Sequence, residues 1–231
     1  MTEWFEFVAP QLLAAALAES VASQLEEAVE ARGRAVLAVS GGSTPAMFFR
    51  ALARKPIDWK SVTVVLVDER FVPPSSDRSN ERLVTLSLLQ ADAAAAHFIG
   101  LFGAASIEEA VSQADDEIAA LKPFDAVVLG MGLDGHTASL FPDAPGIAGM
   151  LDPAGGKNVH AVHAPSAGGD RMTLSLAAII SARRIFVHIE GLEKKECLKD
   201  MLSSTAKAPI CEVIKHASVP VEIYWAPGEP K

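Results

Sequence analysis

Short apolar-rich runs recur along the chain, each followed by a loop of glycine, proline or charged residues and then by a stretch with helical periodicity. The runs fall at 35–39, 62–67, 126–129, 184–189 and 221–225. Runs of this length, without polar alternation, read as strands covered on both faces, which requires a parallel sheet with helices packed against it. Helices are expected at 10–31 (opened by Pro10 and stopped by Gly33), 46–54, 80–90, 107–121, 193–202 and 210–216. Residues 1–8 suit an edge strand, 97–100 and 159–163 further short strands, and 171–180 starts strand-like and turns helical. The alternation predicts an α/β fold with a doubly wound, mostly parallel sheet and helices on both faces. No linker divides the sequence, so 1–231 is expected to form a single domain. The segments 143–158 and 164–170 read as active-site insertions.

Composition narrows the function. A formal net charge of −9 argues against a nucleic-acid or anionic-membrane partner, because those need clustered lysine and arginine. It leaves room for a small anionic substrate held by a local patch of positive charge. Cys197 and Cys211 have no metal-ligand spacing and are too few for a disulfide framework, which fits a reduced, cytoplasmic setting. The apolar stretch 12–18 follows Glu3 and Glu6 rather than a basic segment, so it reads as the core face of a helix and not as a signal peptide. No apolar run is long enough to span a membrane.

The chemistry of an open α/β sheet gathers at the carboxyl ends of its strands. At the end of the 126–129 run stands Gly130-Met-Gly-Leu-Asp-Gly-His136. Its glycines match the dinucleotide fingerprint letter for letter. That fingerprint needs a long helix directly after the glycines to meet a pyrophosphate, and here Pro142 and a loop follow instead, so a nicotinamide or flavin site is rejected and no cofactor is expected. What the loop does present is Asp134 two residues before His136. Asp-Gly alone makes a turn. A carboxylate beside an imidazole also orients the ring and stabilises its charged form for proton transfer near neutral pH.

Ser40-Gly-Gly-Ser-Thr-Pro45 lies between another strand and helix. It makes a serviceable helix cap, but Gly41 and Gly42 also let backbone approach a ligand, and Ser43 and Thr44 add hydroxyl donors. No lysine follows as in a nucleotide-binding P-loop, so a phosphate ester is expected rather than a nucleoside triphosphate. Asp68-Glu-Arg70 ends the 62–67 run, either as a surface charge cluster or as part of the site, with Arg78-Ser-Asn80 opening the next helix. Arg171, Lys194 and Lys195 are the remaining basic candidates. The six histidines show no metal-site pattern, with His160 and His163 on opposite sides of an expected strand. No Gly-x-Ser-x-Gly elbow is present, so hydrolysis here would use activated water rather than a serine nucleophile.

In this order and spacing, Ser40–Pro45, Asp68-Glu-Arg-Phe-Val-Pro73 with Arg78-Ser-Asn-Glu81, and Gly130-Met-Gly-Leu-Asp-Gly-His-Thr-Ala-Ser-Leu-Phe-Pro142 resemble the glucosamine-6-phosphate isomerase/6-phosphogluconolactonase family. Arg171-Met-Thr-Leu-Ser, Gly191-Leu-Glu-Lys194 and Tyr224-Trp-Ala-Pro227 are similar to its later blocks, so the resemblance spans essentially the whole chain. It implies hydrolysis of 6-phospho-D-glucono-1,5-lactone in the pentose phosphate pathway, without cofactor or metal. Deaminases of the same fold carry an acidic residue just before the proline that closes the histidine loop. This chain has Phe141 there, which cannot move a proton. A non-catalytic sugar-phosphate effector domain is the other use of the fold, and it would bring a helix-turn-helix and a basic surface.

The resemblance casts His136 as the base that activates water and Asp134 as its partner. Ser43, Thr44, Arg70, Arg171 and Lys194 would surround the phosphate. Gly41, Gly42 and Gly132 would bring backbone close to substrate, and Asp68 and Asn80 would bind hydroxyls or brace the loops. The sequence does not divide these groups between phosphate and sugar. The expected partner is a small sugar-phosphate lactone, with no nucleic acid and no membrane, and the protein a cytoplasmic monomer or weak homodimer.

Overall fold

The computed structural model describes residues 2–42, 44–204 and 207–228. In chain order its elements are β1 (Thr2–Glu6), α1 (Pro10–Arg32), β2 (Ala35–Val39), α2 (Ala46–Leu52), β3 (Val62–Leu66), β4 (Asp68–Arg70), α3 (Asn80–Ser87), β5 (His97–Ile99), α4 (Ile107–Leu121), β6 (Ala126–Leu129), α5 (Ile147–Met150), β7 (Val159–Val162), β8 (Arg171–Leu174), α6 (Leu176–Ile180), β9 (Ile185–Glu190), α7 (Leu192–Ser203), α8 (Pro209–His216) and β10 (Val221–Ala226).

Seven strands form one sheet in the order β1-β10-β9-β6-β2-β3-β5, and every pairing in it is parallel. The apolar runs explain this. All five residues of β2 and all four of β6 are buried, as strands covered on both faces must be. A fully buried leucine or valine contributes on the order of 1.5–3 kcal/mol, and Leu37, Val39, Val64 and Leu129 are all fully buried at the centre of this sheet. Helices supply the cover. α1 presents Leu13, Leu17, Val21 and Leu25 to the core. α4 starts at Ser106, whose side chain accepts from the Glu109 N–H, and buries Ile107, Val111, Ala114 and Ile118 along one stripe.

The strand order decides where a ligand can enter. From β2 the chain moves outward through β3 to β5, then returns to the other side of β2 as β6 and continues through β9 to β10. The loops leaving β2 and β6 therefore part in opposite directions. They leave a crevice at the carboxyl ends of these adjacent strands, the usual binding position in this architecture. Ser40 N–H still reaches Val128 O (3.0 Å), so the two loops start together.

One part of the architecture differs from the sequence expectation. Asp68–Arg70 does not simply end the third strand. After Val67, whose N–H donates to Val39 O (3.0 Å) and whose carbonyl accepts from Leu174 N–H (2.8 Å), the chain enters a second sheet, three-stranded and antiparallel, in the order β4-β8-β7. A charged triplet gives no apolar signal for a strand. The segment 143–158 also contains the short helix α5, and His163 falls just beyond β7.

Candidate active site

A cleft of about 370 Å³ opens at this crevice. Gly41, Gly42, Thr44, Asp68, Arg70, Asn80, Gly132, His136, Arg171 and Lys194 all line it. Asp134 stands behind His136 rather than on the cleft wall, and Ser43 lies outside the described residues. The loops after β2 and β6, the second sheet and the start of α7 thus converge on one space.

The β6 loop holds an imidazole–carboxylate pair. Asp134 Oδ1 lies 2.6 Å from His136 Nδ1 and also accepts the His136 backbone N–H (3.1 Å). One carboxylate oxygen thereby fixes both the loop and the ring. With Nδ1–H donating to Asp134, the ring's free lone pair is on Nε2. The loop closes on itself through Gly132 N–H to His136 O (2.9 Å) and Thr137 Oγ1 to Gly130 O (2.8 Å), and Gly130 N–H donates across to Ser40 Oγ (3.2 Å). Gly132 also provides clearance: a Cβ there would lie 2.3 Å from His136 Nδ1 and Cε1 and 2.6 Å from Asp134 Oδ1. Phe141 is buried against the imidazole, ring centroids 4.5 Å apart, and makes this wall of the base apolar. The helix a dinucleotide fingerprint needs is missing, since α5 has only four residues.

The second sheet brings the positive charge. Arg70 and Arg171 are register partners across β4 and β8. Arg70 Nη1 donates to Arg78 O and Arg171 Nη2 to Ala167 O, while the Nε–H of each is buried without a partner among the described residues. Burial, followed by the adjacent Arg70 charge, pulls the Arg171 pKa down. Two guanidinium groups held side by side repel unless an anion lies between them. Lys194 lines the cleft, whereas Lys195 turns away to Glu6 (2.6 Å) and the Trp225 ring (3.8 Å).

Asp68, Glu69 and Asn80 form the floor and its braces. Ser139 Oγ donates to Asp68 Oδ2 (2.6 Å), and Asn80 Nδ2 donates to Asp68 O (2.9 Å) and Oδ1 (3.4 Å). Gly41 is packed so closely that a Cβ would meet Asn80 Oδ1 at 1.9 Å. Glu69 is fully buried, not part of a surface cluster. Its two oxygens accept from the backbone N–H of Arg70, Asn80 and Glu81 and from Ser79 Oγ, at 2.6–3.0 Å. Burial raises its pKa above the usual carboxylate value against the pull of those four donors.

Three contributors were not singled out in the sequence: Glu69, Ser139 and His188. The first two lie within the recognised blocks, where no spacing rule separates a brace from its neighbours. His188 lies inside an apolar run and reads as core; its polarity near a strand's carboxyl end is the signal that marks it.

Fold and cleft together define a class: a parallel α/β protein with the Asp134–His136 imidazole–carboxylate pair and a cationic pocket at its topological switch point. Residues 9–225 match the family model described as glucosamine-6-phosphate isomerases/6-phosphogluconolactonase. The 6-phosphogluconolactonase of Mesorhizobium japonicum is 51% identical over 226 residues, covering 97% of this chain and 95% of that protein. The 6-phosphogluconolactonase of Rhizobium meliloti is 48% identical, covering 96% and 97%. A crystal structure of a 6-phosphogluconolactonase from Shewanella baltica matches with a TM-score of 0.92 at 39% identity, over 98% of each chain. The chain belongs to the glucosamine-6-phosphate isomerase/6-phosphogluconolactonase family.

Proposed function

We infer that this protein is a lactonase that hydrolyses 6-phospho-D-glucono-1,5-lactone to 6-phospho-D-gluconate in the pentose phosphate pathway. The observation that carries the reading is the placing of the Asp134–His136 pair in the same cleft as the unpartnered Nε–H groups of Arg70 and Arg171. A base and an anion site on one small cleft suit a substrate with its reactive carbon at one end and a phosphate at the other.

In this reading Arg70, Arg171 and Lys194 hold the phosphate by charge-assisted hydrogen bonds, with Thr44 at its edge. A water molecule attacks the lactone carbonyl and forms the new carbon–oxygen bond while His136 Nε2 takes its proton. Asp134 stabilises the imidazolium that results. Donors for the tetrahedral oxyanion come from backbone N–H groups of the loop after β2 or the loop after β6: those of Gly41, Gly42 and Met131 line the cleft and bond to nothing among the described residues, while those of Gly130, Gly132 and Gly135 are already engaged. Collapse of the intermediate breaks the bond to the ring oxygen. His136 returns the proton to that oxygen, and the new carboxyl group ionises. Phe141 supplies no second proton-transfer group of the kind a deaminase needs.

Among the described residues no helix is long and apolar enough to cross a membrane. The substrate and the acidic chain support a cytoplasmic protein acting on a small anion, without a nucleic-acid partner. The test is the disappearance of 6-phosphogluconolactone against its spontaneous hydrolysis, with the unphosphorylated lactone as control. Acceleration of the phosphorylated lactone alone is expected. No acceleration sinks the activity, and equal acceleration of both sinks the phosphate site.

A further inference from the structure

Buried polar atoms without hydrogen-bond partners are rare, and each needs an explanation. Among the described residues they are Arg70 Nε, Asn80 Oδ1, Asn158 Oδ1, Arg171 Nε and His188 Nδ1, and all of these residues except Asn158 line the cleft. They divide by chemistry. The two arginine Nε–H groups are cationic donors and match a phosphate. Asn80 has its Nδ2 committed to Asp68, so its Oδ1 is an acceptor. His188 has Nε2 3.1 Å from Glu190 Oε1; with Nε2–H donating to that carboxylate, the lone pair of the ring is on Nδ1. A phosphate dianion has no proton to offer these two acceptors. A sugar hydroxyl has one.

His188 is held for such a contact. It follows Val187, the last β9 residue paired with β6 (Leu129↔Val187), so it stands beside Gly130 at the carboxyl end of the sheet. Phe48 of α2 meets the ring edge-on at 6.4 Å, and Glu190 fixes the other nitrogen. The residue is 4% exposed, in a strand whose neighbours Phe186, Val187 and Ile189 are all buried. An apolar side chain would fill this place without leaving a buried nitrogen unsatisfied, so packing alone does not account for histidine here.

Resting on the lactonase reading of the cleft, we propose that His188, oriented by Glu190, is a substrate-binding residue whose Nδ1 accepts a hydrogen bond from a hydroxyl of the phosphorylated sugar lactone. It selects a polyhydroxylated sugar over a bare phosphate ester and leaves the phosphate to the arginines.

His188→Phe keeps a ring and removes the acceptor, while His188→Asn keeps an acceptor at the δ position. One neutral hydrogen bond corresponds to about 2- to 10-fold in affinity. His188→Phe is expected to raise the KM for 6-phosphogluconolactone and the inhibition constant of 6-phosphogluconate by that factor, with kcat changed less and His188→Asn recovering part of the loss. Inhibition by inorganic phosphate should be unchanged. Among monodeoxy 6-phosphogluconates, the one lacking the contacted hydroxyl should bind wild type and His188→Phe equally, as a shared interaction requires. In the unmodified protein, the His188 Nδ1 nitrogen resonance should shift on adding 6-phosphogluconate and stay put with inorganic phosphate, a result that decides the matter even if the phenylalanine variant does not fold. An unmoved resonance, or equal weakening toward phosphate and 6-phosphogluconate, overturns the role of His188. Wild-type protein that fails to accelerate lactone hydrolysis overturns instead the reading on which it rests.

Discussion

One methyl group at Gly132 separates the geometry of the base from the stability of the fold. The φ of Gly132 is not in the left-handed region, so alanine can adopt its backbone. The obstacle is ahead of it: the new Cβ would lie 2.3 Å from His136 Nδ1 and Cε1 and 2.6 Å from Asp134 Oδ1, where ordinary contact begins near 3.4 Å. The imidazole and its carboxylate must therefore retreat by about 1 Å, and a misplacement of that size costs about 10²-fold in rate. Both side chains are partly exposed, at 32% and 43%, so they have solvent to move into. Substitutions with room to relax change stability by no more than about 0.5 kcal/mol, or roughly 2 °C in Tm for a chain of this size. The expected result for Gly132→Ala is a kcat reduced about 10²-fold, a KM within a few-fold of wild type, because the phosphate contacts are remote, and a nearly unchanged melt. The assay is lactone disappearance with the spontaneous rate subtracted, run beside thermal unfolding. A kcat within twofold of wild type would show that the Asp134–His136 geometry does not matter. A large drop in Tm would show that the methyl acts through the fold instead.

The other predictions read separate parts of the site. Arg171→Gln removes a charge-assisted donor, so the KM for the phosphorylated lactone should rise at least about 10-fold, with the inhibition constant of inorganic phosphate rising alongside it; an unchanged KM would place Arg171 outside the phosphate site. Glu69→Gln sets an NH₂ against at least one of four inward-pointing donors, and chemical denaturation should report a loss of about 1.5–3 kcal/mol, with unchanged stability contradicting the bracing role. Burial, with Lys157 adding to it against the pull of Asp115, lowers the His160 pKa from its usual 6.5. The stability this residue contributes is present above pH 6.5 and lost as pH falls through the lowered folded value, because the unfolded chain then binds more protons. His160→Gln should flatten that part of the urea-midpoint profile, and an unaltered slope would refute the assignment.

The parts of the molecule that were legible in the sequence are those whose physics is local. Strands covered on both faces must be apolar throughout, so β2, β3, β6, β9 and β10 announced themselves, and α4 was bounded correctly by its amphipathic stripe. Asp134 and His136 were legible because their contact spans two residues. β4 was not, because Asp-Glu-Arg is stabilised by partners far away in sequence: β8 supplies the ladder, and the start of α3 supplies donors to Glu69. The pairing of Arg70 with Arg171 is equally non-local, a matter of antiparallel register across about a hundred residues of chain. His188 was hidden for the opposite reason, since the apolar run around it gives every residue within it the appearance of core.

The claim on which all of this turns is that His136 is the base. The direct measurement is kcat of His136→Ala with saturating 6-phosphogluconolactone, beside the affinity of the same variant for 6-phosphogluconate. A positioned general base contributes about 10²–10⁴-fold, so kcat should fall by that factor while affinity for the product is kept, because Arg70, Arg171 and Lys194 are untouched. A variant with near-normal kcat would remove His136 from the chemistry and the account with it.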